Sequence, residues 1–187
     1  MVSTGLTAGL ATKSLRLTIS DFNFFPMSEG DSPLAIKRAK KPFDEPAILA
    51  RDAAMRKATT KVVSPEVTNY KPPDNRVITY QELDQFFQPL IENALVEVNT
   101  TAQNQGLMSD ALVAPSAVFG ILMPIELVEY LTELYQIFSQ LLNSRVALIS
   151  DDRNPNPDAY TGLIIFGESS DGEIITWLKL CLSKPDF

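Results

Sequence analysis

Histidine is absent from the chain, and cysteine occurs once, at Cys181. The first absence removes the commonest general base, the commonest zinc ligand and the side chain that titrates near neutrality. The second excludes an internal disulfide, a cysteine-rich zinc cluster and a secreted disulfide scaffold, and it suits a reducing compartment. Long apolar runs are missing as well. The longest candidate, Ala111 to Val128, is broken by Pro115, Ser116, Gly120, Pro124 and Glu126, so no membrane span is expected. Neither a G-x-x-x-x-G-K phosphate cradle nor a dinucleotide-binding G-x-G-x-x-G occurs, and no cofactor is expected.

What is present is an apolar content of 45% in 187 residues, enough for one domain of ordinary size plus an extension. The charge is divided unevenly. Residues 1–76 hold 12 of the 16 Lys and Arg against 8 acids, a net of +4, while residues 77–187 hold 4 against 15, a net of −11. A basic front on an acidic body implies an interaction made through the front, with nucleic acid or with an acidic protein surface.

Residues 1–14 are small and polar and read as an arm; the acid-free, Ser/Thr-rich first twenty residues also have the composition of an organelle transit peptide. Leu15, Leu17 and Ile19 then alternate with Arg16 and Thr18 as a half-buried strand does, and such a strand needs a sheet edge on its own chain or on a neighbour. Phe22, Phe24 and Phe25 follow as an aromatic anchor for a groove. Between residues 28 and 76, Pro33, Pro42, Pro46, Pro65, Pro72 and Pro73 limit regular structure to short windows. One window is a helix over Pro46 to Thr59 with Asp44 as its N-cap. Lys37, Arg38, Lys40, Lys41, Arg51, Arg56, Lys57 and Lys61 crowd this region and form a candidate basic contact patch, whose phosphate affinity would fall steeply with salt.

Two amphipathic helices are expected in the body. One begins at Thr79, where Thr79 and Glu82 have capping-box spacing, and continues through Leu83, Phe86, Phe87, Leu90, Ile91, Ala94, Leu95 and Val98, with Pro89 as a kink. The other runs from Pro124 to Leu142, with Leu127, Leu131, Leu134, Phe138 and Leu141 on its apolar face and Asn143 and Ser144 closing it. The intervening stretch, Leu107 to Met123, fits a strand or a helical turn. Val146 to Ile149, Tyr160 to Phe166 and Ile174 to Leu182 read as strands, the last two joined by the turn Ser169 to Gly172, although Ile174, Leu178, Cys181 and Leu182 also match a short helix.

The chemical constellations are weak. Asp152, Asn154, Asn156 and Asp158 alternate oxygen ligands as a calcium loop does, but Pro157 and Leu163 stand where glycine and glutamate are required. Glu126, Glu129 and Glu133, with Asp110 or Glu92, form an acidic helix face more readily than a catalytic pair. Ser116, Ser169 and Ser170 have no histidine to activate them. Cys181, between Leu180 and Leu182, suits a buried hydrophobe.

The expected architecture is therefore α+β: an extended N-terminal arm over 1–76, then a body over 77–187 with two long amphipathic helices and a small C-terminal antiparallel β-meander. The expected function is a non-enzymatic structural subunit of a homo-oligomeric or filamentous assembly, such as a viral or phage capsid, tail or coat component. Its arm would lock neighbouring copies or other subunits together in the cytoplasm or a virion. The alternative is a small nucleic-acid-binding or regulatory adaptor using segment 37–61.

Overall fold

Two C-terminal stretches, Thr161–Glu168 (β4) and Ile174–Cys181 (β5), are apolar at successive positions as well as at alternate ones, the pattern of strands covered on both faces. A computed structural model describes residues 5–19, 34–106, 115–151 and 160–181, and it places these strands in the interior of a five-stranded sheet. The others are Ala35–Ala39 (β1), Arg76–Gln81 (β2) and Leu142–Asp151 (β3), giving the order β1-β5-β4-β3-β2 with every pair antiparallel. All eight residues of β5 are buried. The chain is mixed α/β. Among the described residues it has four helices, Ala8–Ile19 (α1), Glu45–Val63 (α2), Leu83–Asn104 (α3) and Pro115–Ser139 (α4), where two were expected in the body and one over Pro46 to Thr59.

The sheet separates two apolar cores. Leu163, Ile165, Val146, Leu148, Ile175 and Trp177 point to one side and pack with α1, α3 and α4 through Ala8, Ala11, Leu15, Phe86, Phe87, Leu131, Leu134 and Phe138. Ala147, Ile149, Ile164, Leu178 and Leu180 point to the other and meet Ile48 and Met55 of α2. The C-terminal meander β3-β4-β5 agrees with the sequence reading, and the last segment is strand rather than helix because it pairs along its length with β4 and over five residues with β1.

The extended arm is corrected. Its described residues build three elements of the domain: α1 packs on α4, β1 extends the sheet beside β5, and α2 roofs the far face. Leu15 is fully buried and Leu17 is 66% exposed, so the strand expected over Leu15, Leu17 and Ile19 is a helix. The operative stripe is Ala8, Ala11 and Leu15, spaced by three and four, which alternation among the larger residues conceals. Phe22, Phe24 and Phe25 lie outside the described residues, as do Asp152 to Asp158.

A hairpin turn holds the leader. Gly172, at φ +84°, allows the tight β4–β5 connection, where Gly172 N donates to Ser169 O at 2.9 Å. Ser170 N donates to Leu6 O at 3.0 Å, and Ala8 N donates to Asp171 Oδ1 at 2.9 Å, satisfying a free amide in the first turn of α1. Across the helical layer, Thr18 Oγ1 donates to Glu133 Oε2 at 3.1 Å.

Helix boundaries differ in two further places. Thr79 is paired with Leu148 in β2, so it does not cap α3; Glu82 takes the N-cap position with no side-chain capping bond. Strand pairing outweighs a capping box worth roughly 1 kcal/mol. The helix expected from Pro124 begins nine residues earlier, with Pro115 as its first residue and Pro124 in its interior. By contrast, Asp44 caps α2 as expected, its carboxylate accepting from Ala47 N at 3.2 Å.

Two substitutions probe this packing. Leu15→Ala is expected to lower the unfolding free energy by about 2–5 kcal/mol in urea titration; a loss below about 0.5 kcal/mol, typical of a solvated position, would place α1 outside the fold. A Cβ on Gly162 would lie 2.0 Å from Asp52 Oδ1, so Gly162→Ala should cost about 1–3 kcal/mol by overpacking in the same measurement.

Candidate functional site

The eight basic residues of segment 37–61 do not form one patch. Arg56 belongs to the interior: its side chain and that of Asp52, one turn earlier on α2, are both fully buried, with Nε 2.8 Å from Asp52 Oδ2. Arg56 Nη2 donates to Ile149 O at 3.0 Å, tying α2 to β3. Arg76, from the start of β2, also donates to Asp52 Oδ2 and reaches Leu49 O at 3.0 Å and Pro73 O at 2.8 Å. These groups are structural: two guanidiniums share one carboxylate, and each also donates to backbone carbonyl oxygen. The i, i+4 spacing of Asp52 and Arg56 was the available signal.

A second group lies along β1, at one edge of the sheet. Arg38 Nη1 is 3.5 Å from Glu173 Oε2, and its Nε donates to Thr12 Oγ1 at 3.1 Å. Lys41 pairs with Glu168. Arg51 Nη2 donates to Arg38 O at 3.1 Å, and Lys37 and Lys40 are exposed. Lys41 and Glu168 rim a cleft of about 450 Å³ floored by Phe43 and Phe166, whose rings meet edge to face at 5.3 Å.

The third group is at the far end of α2. Lys57 and Lys61, exposed and one turn apart, flank a polar cleft of about 490 Å³ with Thr60, Thr68 and Tyr70. Among the described residues, Lys37, Lys40, Lys57 and Lys61 have no acidic partner. They stand on the α2 side of the sheet or on the β1 edge beside it.

The opposite layer has the opposite sign. Every charged residue of α3 and α4 is acidic: Asp84, Glu92, Glu97, Glu126, Glu129 and Glu133, all exposed. Glu126, Glu129 and Glu133 follow at steps of three and four along one face of α4. Between the two helices, Asp84, Phe87, Gln88, Ile91, Glu92 and Tyr135 line a groove of about 350 Å³. Tyr135 Oη donates to Asp84 Oδ1 at 2.7 Å, which raises the phenol's pKa. Lys13 and Arg16 of α1 are exposed at the border of this acidic layer.

Two titratable groups of β5, Lys179 and Cys181, are buried. Burial pushes the Cys181 thiol up to about 12 and lowers the pKa of the neighbouring Lys179. Among the described residues, no cluster of three or more metal-ligating side chains occurs, and no helix is long and apolar enough to cross a membrane. Comparison with protein-family models and with curated proteins found no match. The arrangement sets exposed lysines of β1 and α2 apart from the acidic α3/α4 pair on the other face of the sheet, although Asp44 and Glu45 are exposed at the start of α2 and Lys13 and Arg16 on α1.

The hairpin that fixes α1 also carries a titration. The Ser169 hydroxyl, the Ala8 amide and Arg38 hold the Asp171 carboxyl below the ordinary carboxylate range. A depressed folded pKa gives stability that is complete above the unfolded value of about 4 and lost as pH falls through the folded one. Asp171→Asn should therefore melt below wild type at pH 7, and the difference should close as pH drops below about 4. Thermal unfolding of both proteins between these limits is the check, and a gap independent of pH would remove Asp171 from the linkage.

Proposed function

We propose that this chain is a structural subunit that assembles head to tail with copies of itself, the basic α2 face of one protomer seating on the acidic α3/α4 layer of the next. The observation that supports this reading most directly is the placement of exposed charge about the sheet: Lys37, Lys57 and Lys61 on the α2 side with Lys40 at the β1 edge, and acids without a single Lys or Arg along α3 and α4 on the other side. Complementary faces on opposite sides of a rigid body generate a heterologous contact, which closes into a ring or continues as a filament according to its rotation. Such a contact gains attraction from the charges that repel like faces, and it sets polarity and register.

Assembly in this reading does not use an extended arm. The described residues of segment 1–76 are spent on the protomer's own sheet and its covering helices, and what they contribute is the cations of β1 and α2. The role is mechanical rather than catalytic, with copies of the chain or other subunits of an assembly as partners. Nucleic acid is the competing occupant of the basic face, because phosphate chains are recognised by the same lysines.

Light scattering at two salt concentrations tests the proposal. Particles larger than the protomer are expected at low ionic strength and are expected to shrink near 1 M salt, where the screening length falls to about 3 Å. Lys57→Glu with Lys61→Glu should abolish assembly, as should Glu126→Lys with Glu129→Lys, and an equimolar mixture of the two double variants should restore it. Particle size indifferent to salt and to both variants would defeat the reading. Binding of random-sequence RNA or DNA that is lost with Lys57→Glu and Lys61→Glu, without any change in particle size, would assign the face to nucleic acid instead.

A further inference from the structure

The two edges of the sheet are built differently. β1 reads Ala35, Ile36, Lys37, Arg38, Ala39 and is followed by Lys40 and Lys41. Antiparallel pairing of this edge with a second copy would set Lys37 against Lys37 or Arg38 against Arg38, and the Arg38 carbonyl is already taken by Arg51. Charges of this kind on an edge strand are a standard guard against sheet extension. β2 has no such guard. From Val77 to Gln81 it is uncharged, rich in β-branched residues and open, with Val77 45% and Tyr80 42% exposed and Thr79 also exposed.

We infer that β2 is a self-pairing edge: two copies join antiparallel about a two-fold axis at Thr79, extending the five-stranded sheet to one continuous sheet across the dimer. In an antiparallel pair about such an axis, side chains opposite one another project from the same face, so a residue of even number must meet another of even number. The register centred on Thr79 places Thr79 opposite Thr79, Ile78 opposite Tyr80, Val77 opposite Gln81 and Arg76 opposite Glu82. An aromatic pairs with a β-branched residue, and no like charges face. The strand is thus complementary to itself, whereas β1 is self-repelling, and this selects a second copy of the chain as the occupant. The axis is normal to the sheet, so both α2 helices fall on one side and both acidic helical layers on the other. The polarity used in head-to-tail contact is doubled and left open, and the two contacts are independent.

Cysteine cross-linking tests the axis cleanly, because the one native thiol, Cys181, is buried. Residues facing across an antiparallel pair have Cα atoms about 4.5–5.5 Å apart, within disulfide reach. Full-length Thr79→Cys is expected to oxidise to a covalent dimer at least about tenfold faster than Lys37→Cys on the guarded edge, since pairing raises the local thiol concentration. The dimer should persist near 1 M salt, which separates it from the head-to-tail contact. Thr79→Lys and Thr79→Glu should each be monomeric at moderate salt, with wild-type circular dichroism, and should form a heterodimer when mixed. Equal cross-linking at positions 37 and 79, a dimer that survives Thr79→Lys unchanged, or a wild-type protein that is monomeric at high concentration and high salt would each overturn the inference.

Discussion

Two adjacent strands that are apolar on both faces set the terms for this fold. β4 and β5 bury nearly every residue, and Trp177, fully enclosed, sits between the helical layer and the rest of the sheet. An antiparallel sheet can leave one face wet only if that face is polar. Here neither is, so helices are required above and below, and β5 requires a neighbour on its open side. The chain meets all three demands with its leader: α1 helps to cover one face, α2 covers the other, and β1 closes the edge. At about 25 cal/mol per Å² of apolar surface removed from water, leaving such a sheet half covered would be strongly destabilising.

That arrangement also decides where charge goes. α2 must put an apolar stripe on the sheet, and Asp52, Arg56 and Arg76 ride inward with it, bonded to one another and to the carbonyls of Ile149, Leu49 and Pro73. The cluster fixes α2 in register over β2, β3 and the close-approach Gly162. Its cost is that two arginines leave the surface count. Lys57, Lys61, Lys37 and Lys40 remain facing water, while α3 and α4 on the other face carry acids alone. The acidity of the α3/α4 pair, set against the lysines of β1 and α2, is the property on which the proposed assembly rests, and it appears only when α2 and that pair are placed on opposite faces.

Parts of the fold were legible because a local rule and the tertiary structure agree. Asp44 caps α2, the turn at Gly172 joins two strands, and the apolar period through Phe86, Phe87 and Ala94 or through Leu127, Leu131, Leu134 and Phe138 marks core-facing helix. Legibility failed where two local patterns competed. Leu15, Leu17 and Ile19 alternate as a strand does, yet Ala8, Ala11 and Leu15 share a helical face, and small residues that allow close packing on α4 carried the outcome. Thr79 and Glu82 have capping-box spacing, yet β3 offered a strand partner. The split of the basic segment into a buried cluster, a guarded edge and an exposed helix end was beyond reach of composition, since the adjacent Arg56 and Lys57 of α2 end in different environments.

By itself the sequence determined the apolar periods, the caps and turns, the absence of histidine-based and disulfide chemistry, and the imbalance of charge between its two parts, because each depends on neighbours a few residues away. Only the tertiary structure decided that the leader belongs to the domain, which edge of the sheet is guarded, and which cations meet water. Those outcomes depend on segments more than a hundred residues apart sharing one sheet, and burial of β4 and β5 on both faces is what brings them together.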